Sequence, residues 1–257
     1  MKPKGEIIYT RKNDLVRLVI SNPAKKNAIS YSMWLELADH IEKIKNDSQI
    51  RMLVIEGDQN HFSSGADISE FSELRAGHNK KEYDKAVINA CKDLQTLLIP
   101  TIAYIKGYCF GGGFGLAMQC DFRFCEPDAI FSLPVVKRGL SYSKEQIRQL
   151  ITIVGVTNAK DILFTGRKIT AQEAELMGFT SIVNNPVKKD ADNYVTMITE
   201  NAPLSVQAVK AGFLELTGSG TGHISHEELT RLCSESADYR EATLAFTEKR
   251  KPRFRGK

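Results

Sequence analysis

Three consecutive glycines constrain this chain more than any other feature. Gly111-Gly112-Gly113 follow the apolar run Thr101 to Ile105, which reads as a buried strand. They precede Leu116-Ala117-Met118-Gln119, a helix-compatible stretch. Strand, glycine turn and helix start, in that order, aim free backbone N–H groups at a pocket, where they can hold an anion or a developing oxyanion. A second turn of small residues, Phe62-Ser63-Ser64-Gly65-Ala66-Asp67-Ile68, lies upstream, with Asp67 placed to cap a following helix. Alone, it is an ordinary strand-to-helix loop. Beside the glycine turn it gains meaning, because two amides from two turns can converge on one oxygen.

The 257 residues allow one large domain, or one domain with an appendage. Apolar residues make up 42% and charged residues 26%, which fits a soluble globular enzyme and argues against disorder. The cysteines (Cys91, Cys109, Cys120, Cys125 and Cys233) are odd in number and form no C-x-x-C pair. They read as packing residues in a reducing compartment, so a cytoplasmic location is expected. No signal peptide is expected, because Met1-Lys2-Pro3-Lys4-Gly5 leads into strand-like sequence without an apolar h-region. No apolar run approaches the about 18 residues of a membrane span. The net charge of +4 sits largely in the tail from Lys249 to Lys257. It is compatible with a phosphorylated small molecule and too weak to argue for nucleic acid.

Residues 6–10 and 15–20 read as two strands around Lys12-Asn13-Asp14. Ser30 caps a helix from Tyr31 to Lys45 with a buried stripe of Trp34, Leu37, Ala38, Ile41 and Ile44. Arg51 to Glu56 is a buried strand, Ala66-Asp67-Ile68 opens a helix, and residues 80–98 form a long helix ended by Pro100. A helix near 113–119 and a strand over 121–125 follow. Two strand–turn–helix units thus recur, at 51–75 and 101–119. From about residue 188 the pattern is helical only, at 188–199, 204–216, 225–236 and 238–249. The expected architecture is an α/β core over residues 1–187 and a helical region over 188–257, with the boundary at Asn184-Asn185-Pro186. Thr217 to Gly222 reads as a flexible loop and lacks the Lys-Ser/Thr ending of a phosphate loop. His61 reads as a surface histidine. His223 and His226 lack partners at ligand spacing, so no metal is expected.

Several segments, in order along nearly the whole chain, resemble the crotonase, or enoyl-CoA hydratase/isomerase, superfamily. They are Asn22-Pro23 with Asn27-Ala28-Ile29, the turn from Phe62 to Ile68, Gly107 to Gly113, Phe164-Thr165-Gly166-Arg167-Lys168-Ile169-Thr170-Ala171, Ala174 to Phe179, and Ala245-Phe246 with Lys249 to Pro252. The resemblance implies a crotonase-like α/β spiral of ββα units with a C-terminal helical oligomerisation region. It implies a homotrimer or a dimer of trimers. The implied partner is an acyl-CoA thioester, so coenzyme A arrives as part of the substrate and no separate cofactor is expected; nor is a nucleic-acid or membrane partner. The amides of Ala66 and Gly112 would polarise the thioester carbonyl. Lys26, Ala28, Ser64, Ala66, Asp67, Ile68, Gly112, Gly113, Val135 and Leu140 match positions that line the ligand. Phe246 and Lys249 match residues that approach the coenzyme from the C-terminal region, commonly across a subunit interface. Lys26 also reads as a solvated surface lysine.

The chain departs from the family where proton transfer is done. Family hydratases carry one glutamate at the position of Gly115 and a second at that of Val135. Neither glycine nor valine can move a proton. Gly139-Leu140 is followed by Ser141-Tyr142-Ser143-Lys144-Glu145-Gln146, in which Ser143 and Gln146 fit a capping box. Val135 and Tyr142 are similar to their counterparts in methylmalonyl-CoA decarboxylase, although that enzyme has His where this chain has Ala66 and Glu where it has Gly115. Decarboxylation creates an enolate without a base and needs only an oxyanion site and a proton donor, for which the Tyr142 phenol is a candidate. Tyr142 also reads as a packing residue, and Lys144 and Glu145 as a solvated helix start. Three readings stay open: decarboxylase-like lyase chemistry, enoyl-CoA hydration with another acid–base group such as Glu145, and acyl-CoA binding without chemistry.

Overall fold

The computed structural model describes residues 5–70, 79–183, 187–220 and 224–257. Its main sheet starts with the hairpin β1 (Glu6–Lys12) and β2 (Leu15–Ser21), antiparallel about Asn13 at φ 58°. Helix α1 (Tyr31–Lys45) follows, with Ser30 accepting from the Met33 amide at 3.3 Å and Trp34, Leu37, Ile41 and Ile44 buried. Ala38, expected in that stripe, is only half-buried; Met33 is buried beside it. Strands β3 (Met52–Gly57), β4 (Thr101–Ile105), β6 (Phe122–Cys125) and β9 (Ser181–Ile182) add to β2 in parallel, giving the order β1-β2-β3-β4-β6-β9. Helix α2 (Asn79–Gln95) enters between β3 and β4.

All five residues of β4 are buried, as a parallel strand covered on both faces requires. Alternation splits the sheet into two cores. Leu53, Ile55, Ala103 and Ile105 join the larger core with α1 and α2. Met52, Val54, Ile102, Tyr104 and Phe124 face the other way, where Val195 of α6 (Val187–Thr199) covers them.

The glycine run does not follow β4 directly. Residues Tyr108–Phe110 form β5, the edge of a second, three-stranded sheet with β7 (Ile130–Ser132) and β8 (Ile169–Thr170). Strand β5 runs parallel to β7, so the glycines leave the end of β5 and Pro134 leaves the end of β7, side by side. Helix α3 (Gly112–Met118) starts on the glycines. Helix α4 (Lys144–Thr165) has the expected capping box of Ser143 and Gln146 and a break at Gly155 (φ 77°). Helix α5 (Ala171–Leu176) is capped in the same way by Thr170 and Glu173.

The remaining chain is helical: α6, α7 (Pro203–Leu216), α8 (His226–Glu235) and α9 (Ala237–Thr247). Helix α7 is tied to the sheet by Lys210, only 7% exposed. Its Nζ donates to Ile99 O at 2.8 Å and Asp121 Oδ2 at 2.7 Å, and that same carboxylate oxygen accepts from Thr101 N and Oγ1. The buried ammonium is thus paired and hydrogen-bonded, as burial of a charge demands.

Candidate active site

The site is assembled from three segments. The first, residues 22–29, folds as a tight turn in which Lys26 (φ 53°) and Asn27 (φ 57°) are left-handed. Asn27 is fully buried and holds the turn to the next segment by donating to the carbonyls of Asp58 and His61 at 2.7 and 2.6 Å. Ser64 N donates to Lys26 O at 2.9 Å, Ile29 N to Gly65 O at 2.8 Å, and Asp67 N to Ile29 O at 3.0 Å. Lys26, Ala28, Ser64, Ala66, Asp67 and Ile68 are thereby brought together. Past Asp67 the structure shows one 3-10 turn, Ile68–Glu70, in place of the helix expected there; the rest of the first repeat unit, residues 71–75, falls outside the described residues.

The second and third segments meet back to back. Ser63 N donates to Tyr108 O and Phe110 N to Ser63 O, both at 2.9 Å. Gly65 is at φ 100°, and a Cβ on it would stand 2.9 Å from Phe110 O and 3.4 Å from Gly112 N. A Cβ on Gly112 would stand 3.4 Å from Ala66 N and 3.3 Å from Trp34 Cζ2. A Cβ on Gly113 would strike Ser63 Cβ at 2.6 Å. At positions 65 and 113 only glycine lets the two turns come this close. Gly111, at φ 49°, donates to Ser132 O at 2.9 Å and fixes the start of α3.

Neither the Ala66 nor the Gly112 N–H has a protein acceptor among the described residues. Gly112 is the first residue of α3, so its N–H has no partner within the helix. Both residues are half-buried and open to a ligand. Two neighbouring free amides of this kind can share one carbonyl oxygen.

The side chains around the turns are already engaged. Burial alone would raise the Asp67 carboxyl, but hydrogen bonds from Lys25 and Ser69 hold it below the usual carboxylate range. Its Oδ2 accepts from Lys25 Nζ at 2.6 Å and its Oδ1 from Ser69 N at 3.1 Å. Glu70 accepts from Tyr31 N at 2.8 Å, at the start of α1. His61 is more integrated than a surface histidine. Its ring stacks on Tyr108 at 4.5 Å and its Nδ1 accepts from Tyr108 N. Burial and then the Lys26 charge lower its pKa. Lys26 is not simply solvated either, since its Nζ lies 4.9 Å above the Tyr108 ring.

Val135 stands half-buried in the 3-10 helix Pro134–Arg138 that leaves β7, and Gly139 (φ 68°) ends that helix. Leu140 is 41% exposed. Tyr142 packs against the main core, and burial pushes its phenol up to about 12, with the Arg138 charge opposing. Glu145 is exposed and ion-paired to Arg148, and Lys144 beside it is exposed. Phe246 is 86% exposed at the end of α9, with Lys249 (φ 54°) next to it, so within one chain Phe246 packs against almost nothing. Gly115 is buried, and a Cβ on it would find no atom of the other described residues within 4 Å, its own helix backbone aside. The position at which family hydratases carry a glutamate is an open space.

Sequence reasoning assigned Trp34 to the core stripe and missed that its ring edge walls the glycine turn. Helical periodicity reports which side of α1 is buried, not which neighbour that side meets.

No helix among the described residues is long and apolar enough to cross a membrane. Comparison with known proteins agrees with the geometry. The enoyl-CoA hydratase/isomerase family matches residues 10–257. A probable mitochondrial enoyl-CoA hydratase 2 of Arabidopsis thaliana is 32% identical over 94% of this chain and 82% of its own. The 2,3-dehydroadipyl-CoA hydratase of Escherichia coli is 28% identical over 98% of this chain and all of its own. The crystal structure of a putative enoyl-CoA hydratase/isomerase family protein from Hyphomonas neptunium superposes with a TM-score of 0.91 at 30% identity, over 98% of both chains. The fold is that of the crotonases, and the chain belongs to the enoyl-CoA hydratase/isomerase family.

Proposed function

We propose that this protein binds an acyl-CoA thioester with its carbonyl oxygen on the amides of Ala66 and Gly112, and that it performs decarboxylase-like lyase chemistry. The observation that carries the reading is the pairing of two free amides with an empty, buried position at Gly115. The apparatus for stabilising an enolate is present, and the glutamates that family hydratases carry at positions 115 and 135 are replaced by glycine and valine. A substrate that carries a carboxylate on its α-carbon makes its own enolate. The C–C bond to the carboxylate breaks, carbon dioxide leaves, and the electron pair passes into the thioester enolate. Tyr142 then gives its phenolic proton to the α-carbon and regains one from water. A phenol raised to about 12 is protonated throughout the physiological range, as a donor must be. Lys26, Ala28, Ser64, Asp67 and Ile68 hold the coenzyme. Phe246 and Lys249, exposed in the single chain, approach it from a neighbouring copy in a trimer.

The test is to follow methylmalonyl-CoA by mass spectrometry. Loss of carbon dioxide, slowed about 100-fold or more in Tyr142→Phe, is expected. Equal rates in the two proteins would remove Tyr142 from the mechanism. The names of the relatives favour a second reading, enoyl-CoA hydration. Rapid loss of the conjugated-thioester absorbance of crotonyl-CoA would establish it and overturn the lyase reading.

A further inference from the structure

Trp34 is the only tryptophan of the chain and is 1% exposed. Its Nε1–H is buried and has no hydrogen-bond partner among the described residues. Orphaned buried donors are rare and costly, and they call for an explanation. The position of this one is informative. Cζ2 and Nε1 are bonded to the same ring carbon and lie on one edge of the indole. That edge faces the glycine turn: Cζ2 is 3.3 Å and Ala66 N 3.4 Å from where a Gly112 Cβ would stand. The indole edge therefore lies against the glycine turn, close to both free amides. One helical turn along α3, Gly115 leaves buried space with no atom of the other described residues within 4 Å of its missing side chain. The carboxylates near these turns cannot serve Trp34, since Asp67 is taken by Lys25 and Ser69 and Glu70 by the Tyr31 amide.

We propose that Trp34 Nε1–H donates a hydrogen bond to an oxygen borne on the β-carbon of the acyl group, and that it selects oxygenated acyl groups over plain ones. This rests on the reading that the two amides hold the thioester, and it narrows the substrate to acyl-CoAs with a β-hydroxyl, β-keto or carboxylate oxygen. A site built to hydrogen-bond a substrate oxygen rejects the analogue that lacks it, because the buried donor is then left unpaired.

A single tryptophan gives a single indole N–H signal in a proton–nitrogen correlation spectrum, so the native protein tests the idea without a variant. Butyryl-CoA and 3-hydroxybutyryl-CoA differ by one hydroxyl. The hydroxylated thioester is expected to move the indole proton downfield and to bind about tenfold more tightly than butyryl-CoA. Acetoacetyl-CoA is expected to act like the hydroxylated compound. In Trp34→Phe the ratio of the two affinities falls to about one. Identical indole shifts with butyryl and hydroxybutyryl thioesters, or a preference that survives in Trp34→Phe, would overturn the proposal while leaving thioester binding intact. If titration of the native protein detects no binding of any of these thioesters, the acyl-CoA reading fails and this inference fails with it.

Discussion

Gly113 and Gly115 lie two residues apart in one short helix, yet their surroundings are opposite. A side chain on Gly113 would strike Ser63, which cannot retreat because its N and O are bonded to Tyr108 and Phe110. A side chain on Gly115 would meet nothing. The first glycine is demanded by the approach of two turns. The second has no steric reason among the described residues to be glycine. The same contrast separates two parts of the site: the backbone amides are tightly constrained, and the position of Gly115 is open.

The contrast can be broken most sharply at Gly113. Gly113→Ala is expected to lower stability by about 2–3 kcal/mol through overpacking and to abolish thioester binding, read by thermal unfolding and ligand titration. An unperturbed protein would show that the two turns can separate freely. Next comes Tyr142→Phe, with its loss of about 100-fold in decarboxylation and little change in thioester affinity. The parent rate should hold as pH rises past the ordinary phenol value of about 10 and fall only near 12, because burial raises the Tyr142 pKa in the folded state. The stability linked to that raised pKa is full below about 10 and is lost as pH climbs through 12. A rate that falls at pH 9 would point to a different donor. Gly115→Ala is expected to stabilise the protein by up to about 1 kcal/mol, since Ala is the better helix former and the space is free. Destabilisation there would mean that the space is not real. Glu145→Ala is expected to do least, within about 0.5 kcal/mol in stability and with turnover unchanged, because Glu145 stands at the surface on Arg148. A collapse of turnover would instead make Glu145 the missing acid–base group.

Much of this was legible in the sequence, for local reasons. Ser30 and Ser143 announce their helices because capping is decided within four residues. The glycine turn and its partner loop were visible because close backbone approach restricts the residue type. The small sheet of β5, β7 and β8 was not, since strands of two or three residues carry too little periodicity to register. It is this sheet that sets Gly111 beside Ser132, two residues before Pro134. The orphan N–H of Trp34 was invisible too, because an unmade hydrogen bond is a property of packing and not of spacing. Likewise, spacing allowed Glu145 either role, and its pairing with Arg148 is a finding of the structure.

The central claim is that the amides of Ala66 and Gly112 polarise a thioester carbonyl. Isotope-edited infrared difference spectroscopy of a bound acyl-CoA labelled with carbon-13 at the thioester carbonyl reads this directly. Gly112 is the first residue of α3, a position that tolerates proline, so Gly112→Pro deletes the N–H while Gly112→Ala keeps it. The account predicts a carbonyl stretch shifted to lower frequency in the native protein and in Gly112→Ala, with much of the shift lost in Gly112→Pro. A bound thioester whose carbonyl absorbs as it does in water, or a shift unchanged in Gly112→Pro, would contradict it.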